Sequence, residues 1–278
     1  MTSSTPMTTS TPTSTSKSIV DTGARPSGCG EDEWQLRCDL AALYRLADQF
    51  GMSDLIYTHI SARLPGPRHQ FLLNPFGVLF KDMLASDLIK VDEAGNIVDP
   101  DPSPDPDRAV MVHKAGFIIH SAVHMARPDL QCVIHSHSVA GMAVSAQEQG
   151  LLPLTQHAMM FYERVGYHDY ESFANNEGER ERLAHDLGEH DVLILRNHGL
   201  LVGGRSVQQA FHNATHLERA CQAQVLAGNG GAVLRFPDTG AARRTSQHNK
   251  DGFTDERFEI VWRACLGMIP EDRRDYRR

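Results

Sequence analysis

A short apolar run, Cys132-Val133-Ile134, ends directly in His135-Ser136-His137-Ser138. That pattern describes a buried strand that delivers imidazoles at its end. Alternate residues of an extended segment share a side, so His135 and His137 face one point in space. A second run, Asp191-Val192-Leu193-Ile194-Leu195, also reads as a buried strand and leads in the same way into Arg196-Asn197-His198-Gly199. Neutral imidazole is the commonest protein ligand for zinc, iron and related divalent ions, and three protein ligands leave positions open for a substrate. The two runs suggest a metal centre of catalytic type on His135, His137 and His198. Chance competes with this reading, because the chain has 15 histidines, and spacing alone leaves the two explanations level.

The rest of the composition narrows the setting. With 278 residues the chain can bury a full core without covalent staples. Five scattered cysteines, Cys29, Cys38, Cys132, Cys221 and Cys265, show no paired spacing; they imply a reducing compartment rather than a disulfide framework. A net charge of -8 without a Lys/Arg cluster argues against a grip on nucleic acid or an anionic membrane. No apolar run is long enough to span a bilayer, so the expectation is a soluble, cytoplasmic protein with neither a nucleic-acid nor a membrane partner.

Along the chain, residues 1–28 are almost wholly Ser, Thr and Pro, a composition expected to stay disordered. Glu31-Asp32-Glu33 opens a helix whose apolar stripe includes Trp34, Leu40, Leu43 and Leu46, with Gly51 as its stop. Residues 57–63 and 70–74 read as a hairpin across Pro65-Gly66-Pro67, and residues 88–92 as a further strand. The prolines of 99–106 mark a loop. A helix then follows with His113, Phe117, His120 and His124 on one face, and interlayer hydrogen bonds explain that stripe better than a second metal site. Residues 139–146 read as a helix, 167–170 as the start of a connection, and the stretch from Glu179 to Leu187 as a helix. Ser206 and Gln209 cap a long helix that stops at Gly228. The division expected is a tail over 1–28, a metal-binding domain over 29–230, and a linker with a final helix, docked on a neighbour, over 231–278.

The run Ala126-Arg127-Pro128-Asp129 followed by Val133-Ile134-His135-Ser136-His137, and then Leu195-Arg196-Asn197-His198-Gly199-Leu200, resembles the class II aldolase/adducin superfamily over roughly residues 33–228. The resemblance implies an α/β fold, a single three-layer α/β/α domain, in a homotetramer with sites near subunit boundaries. It also implies that His135, His137 and His198 bind a divalent metal. In the phosphosugar aldolases two small-residue segments form a phosphate pocket; they match Thr58-His59-Ile60-Ser61 and Asn74-Pro75-Phe76-Gly77 here, which makes His59, Asn74 and Phe76 candidate substrate-binding residues. Thr58 replaces a glycine and Phe76 a small hydroxyl residue, changes that disfavour a phosphorylated sugar and suit an aromatic or prenylated substrate. The aldolase glutamate that moves a proton falls at Gly116, which cannot transfer one. His157 falls near a tyrosine that in aldolases reaches the neighbouring subunit's site as a proton donor, which makes it the candidate catalytic residue.

Three functions follow from the resemblance. A metal-dependent aldolase or decarboxylase, with zinc or another divalent ion, is weakened by Gly116 and Phe76. A non-catalytic adducin-like binding module is favoured by Tyr167-His168-Asp169-Tyr170 and weakened by the intact histidine trio. The third is a non-haem Fe(II) oxygenase, since the chain also resembles the bifunctional oxygenases of aminocoumarin antibiotic biosynthesis. Those would take a small aromatic α-keto acid and O2, converting a prenylated 4-hydroxyphenylpyruvate to the mandelate and then to 3-dimethylallyl-4-hydroxybenzoate. The missing glutamate makes this third function the expectation.

Overall fold

In a strand, successive side chains alternate between two faces, and here both faces are apolar, so the sheet must be covered on both sides. The computed structural model describes residue 25 and residues 28–98, 111–172 and 177–278. The tail expected over 1–28, apart from Arg25 and Gly28, and the proline loop over 99–106 lie outside the described residues. Among the described residues seven strands form one sheet in the order β3 (Ile89–Val91), β2 (Phe71–Leu73), β1 (His59–Arg63), β4 (Cys132–Ser136), β7 (Gly199–Gly204), β6 (Val192–Leu195), β5 (Val165–His168). Neighbours are antiparallel except β5 and β6, which are parallel.

Ile60, Ala62, Ile134, Ile194 and Val202 face one layer of helices: α1 (Glu31–Gln49), α3 (Val139–Ser145), α6 (Val207–Gly228) and α8 (Asp255–Leu266). Val133, Leu193 and Leu201 face α2 (Lys114–Ala126) and α5 (Glu177–Leu187) on the other side. The three-layer α/β/α domain is therefore present. α1 ends as its sequence requires, with Gly51 at φ +71 and the Met52 N–H returning to the carbonyl of Ala47. The Ser206 hydroxyl caps α6 by accepting the Gln209 N–H at 3.1 Å.

Three stretches differ from the sequence reading. The supposed linker contains a helix, α7 (Thr239–Gly252), started by the Asp238 carboxylate accepting the Ala241 N–H; residues 232–238 are the extended part of the connection. The final helix, α8, packs on its own chain. Phe258 and Trp262 are buried, with the Trp262 ring 5.5 Å from Phe211 of α6. Beyond α8 the chain returns to α1, where the Arg45 guanidinium pairs with Asp275 at 3.0 Å. The connection expected from Tyr167 begins as strand β5. β7 escaped notice because its glycines mask a strand pattern: a Cβ at Gly204 would stand 2.3 Å from the Ala210 nitrogen of α6, and one at Gly199 would stand 2.4 Å from the Ser136 carbonyl oxygen.

Candidate metal centre

β4 is central, hydrogen-bonded to β1 on one side and β7 on the other, with His135 opposite His59 and Leu201. His137 follows one step past its end. His198 sits in the tight turn between β6 and β7, where Asn197 takes the left-handed conformation at φ +56. Adjacent strands thus bring together residues 61 positions apart in sequence: the Nε2 of His137 lies 2.9 Å from that of His135 and 2.9 Å from that of His198.

The opposite ring nitrogens decide what those contacts are. The Nδ1–H of His135 donates to the Leu200 carbonyl at 3.0 Å, and the Nδ1–H of His137 to the Asp54 carboxylate at 3.0 Å. With Nδ1 the donor in both rings, Nε2 is the atom of each that is left to offer a lone pair to the shared point, an arrangement that a cation there stabilises. Metal–nitrogen bonds of about 2.0–2.1 Å place adjacent ligands about 3 Å apart, close to the separations seen. Burial, reinforced by His198, His137 and His59, holds His135 well below the ordinary imidazole range, and burial followed by His137 takes His198 down to about 4. Their lone pairs are free at neutral pH, so the three residues fit a divalent ion.

Beside this trio lies a ladder of rings. His59, 3% exposed, stacks on His113 at 4.8 Å; His113 meets Phe76 at 5.0 Å, and Phe76 meets Tyr57 at 6.4 Å. Among the described residues, neither nitrogen of His59 has a hydrogen-bond partner. The ring fits only because residue 116 is glycine: a Cβ there would lie 2.6 Å from His59. Deeper in, the Ser61 hydroxyl bridges His120 Nδ1 at 2.6 Å and His124 Nε2 at 2.8 Å, the interlayer bonding expected of that stripe.

Of the other candidates, Phe76 stands in the ring ladder beside the trio. Asn74 is buried, its Oδ1 accepting the Tyr44 hydroxyl at 2.9 Å. His157, on α4 (Gln156–Met159), stacks on His216 of α6 at 5.2 Å in a second ring cluster, apart from the converging trio. Asp54 was missed, because a lone aspartate in a loop far from its partner in sequence carries no periodic signal. A separate cleft of about 700 Å³, lined by residues that include Arg127, Asp129, Arg164 and Asp191, lies by the opposite ends of β4 and β6. There Asp191 is paired with both Arg127 and Arg164.

The family described as Class II Aldolase and Adducin N-terminal domain matches residues 38–225. A provisionally named aldolase class 2 protein of Caulobacter vibrioides is 51% identical over 210 residues, 75% of this chain and 79% of that protein. Rat (Rattus norvegicus) alpha-adducin is 42% identical over 82% of this chain but only 32% of its own length, so the chain spans about a third of that relative. The crystal structure of an aldolase II superfamily protein from Pseudomonas syringae superposes with a TM-score of 0.83 at 45% identity, covering 90% of this chain and 97% of that one.

Proposed function

The chain belongs to the class II aldolase and adducin N-terminal domain family, and from that premise we propose that it is a divalent-metal-dependent enzyme of lyase type acting on a small, unphosphorylated 2-oxo or 2-hydroxy acid. The observation that carries this reading is the convergence of three imidazoles on one point with the Nδ1–H of His135 and of His137 committed elsewhere. A bound divalent ion would supply Lewis acidity to a substrate oxygen. Three neutral imidazoles leave its charge uncancelled, which favours an anionic substrate with neighbouring oxygen donors. Thr58, fully buried, and Phe76 stand where family aldolases have the small residues of a phosphate pocket, hence the unphosphorylated substrate. Phe76, His113 and Tyr57 offer an apolar wall suited to an aromatic group.

The test is elemental analysis of purified wild type and His135→Ala. One divalent ion per chain in wild type and its loss in the variant are expected; equal content in both would sink the assignment and leave the adducin-like binding module as the better reading.

A second reading, an Fe(II)-dependent oxidative decarboxylase of an aromatic 2-oxo acid such as a prenylated 4-hydroxyphenylpyruvate, is favoured by Gly116. No side chain at that position can move a proton for carbon–carbon cleavage, and the His59 ring fills the space above it. Turnover with and without oxygen, in zinc- and iron-loaded protein, separates the two. Lyase chemistry proceeds anaerobically with zinc, whereas the oxidative reaction needs both iron and oxygen.

A further inference from the structure

We propose that Asp54 is the positioning residue of the metal centre: its carboxylate fixes His137 with Nδ1 protonated, so that Nε2 faces the ion, and places a negative charge against the outer edge of that ring. The inference rests on the metal-centre reading above and goes beyond its three ligands.

The geometry points to Asp54 in particular. Its Oδ2 accepts the Nδ1–H of His137 at 3.0 Å, whereas the corresponding nitrogen of His135 is held by a neutral backbone carbonyl. A carboxylate on the outer nitrogen of a ligating imidazole selects the tautomer and raises the basicity of the inner nitrogen. Asp54 is also held in place rather than left on a free loop. Ser53 is tied to α1 through the Asp48 carboxylate at 2.8 Å, and the Tyr57 N–H closes the turn on the Asp54 carbonyl at 2.9 Å. The Asp54 N–H reaches the buried Thr58 hydroxyl at 3.4 Å, and Leu55 between them takes φ +49. Thr58 is the residue that replaces the glycine of the aldolase phosphate pocket. Its hydroxyl braces the turn that carries Asp54.

The experiment is a chelator-competition titration of zinc into the full chain, as wild type, Asp54→Ala and Asp54→Asn, together with nitrogen-15 spectra that report which ring nitrogen of His137 is protonated. Asp54→Ala should weaken zinc binding about 10- to 100-fold with the stoichiometry unchanged, and His137 should lose its single tautomer. Asp54→Asn retains an acceptor oxygen without the charge and should fall between the two. A zinc affinity for Asp54→Ala within twofold of wild type would overturn the proposal. If that variant does not fold, an unchanged affinity and tautomer in Asp54→Asn overturns it instead. Should wild type itself take up no zinc, the metal-centre reading fails and this proposal falls with it, an outcome distinct from equal binding by wild type and variant.

Discussion

Gly116 and His59 show how one residue's absence shapes another's position. A helix-interior glycine ordinarily costs about 1 kcal/mol relative to alanine, so Gly116→Ala on an exposed face would stabilise the protein. Here the new methyl would stand 2.6 Å from a buried imidazole already stacked on His113. Gly116→Ala is therefore expected to lower stability by about 1–3 kcal/mol in urea denaturation, and much less in a His59→Ala background. Additive effects of the two substitutions would show that the rings do not compete for this space. At this scale the sequence was informative about identity and poor about company. His135, His137 and His198 could be found from strand-end patterning, but nothing local to Asp54 or to the Leu200 carbonyl announces a contact that only the folded sheet creates. The absence of a side chain at Gly116 was readable only against a family pattern, and that His59 fills the space was not readable at all.

Helix α2 carries a polar stripe into a buried layer, which has a price in acid. His120 and His124 are buried and pushed down to about 3, chiefly by desolvation of the charged ring. Below the ordinary imidazole value near 6.5 the unfolded chain takes up protons that these folded rings refuse. The stability they provide is thus complete above that pH and lost as the pH falls from about 6.5 toward 3, by up to about 1.4 kcal/mol per pH unit for each ring. Melting temperatures of metal-free protein at pH 7.5, 6.5 and 5.5 should fall with pH, and His124→Gln, which bonds without titrating, should flatten the fall. An unchanged slope in that variant would move the acid sensitivity elsewhere. The stripe was legible from 4-residue spacing, because helical periodicity is local. The strand β7 was not, since its glycines answer to the close approach of α6 and of β4, which are tertiary facts.

At the scale of the whole molecule, the C-terminal segment shares its core with the strand that carries His135, since Trp262, Ile269 and Tyr276 belong to one cluster with Ile134. Trp262 is 2% exposed against Phe211, and the carbonyls of Tyr276 and Arg278 accept the N–H groups of Ala85 and Ser86, both at 2.8 Å. Trp262→Ala should cost about 3–5 kcal/mol, read as a lowered urea midpoint with a single transition. An effect below about 1 kcal/mol would mean that α8 is docked loosely, as a peripheral helix would be. The sequence led to a linker here because Gly228 to Gly231 and the polar residues from Asp238 onward resemble one; the caps at Asp238 and Thr254 were the available signal. No helix among the described residues is long and apolar enough to cross a membrane.

The place of the three histidines in the sheet bears finally on how an ion would enter and leave the proposed centre. His135 lies in a strand bonded on both flanks, and His198 in the turn that joins two of the sheet's strands. Backbone so placed is the last to lose its amide hydrogens to solvent, since exposing it requires opening most of the sheet. The cup would therefore persist between occupants, and the residence of an ion in the proposed centre would be set by rotation of imidazoles about their side-chain bonds rather than by unfolding. Swapping one metal for another should take far less time than deuterium takes to reach the amides of β4.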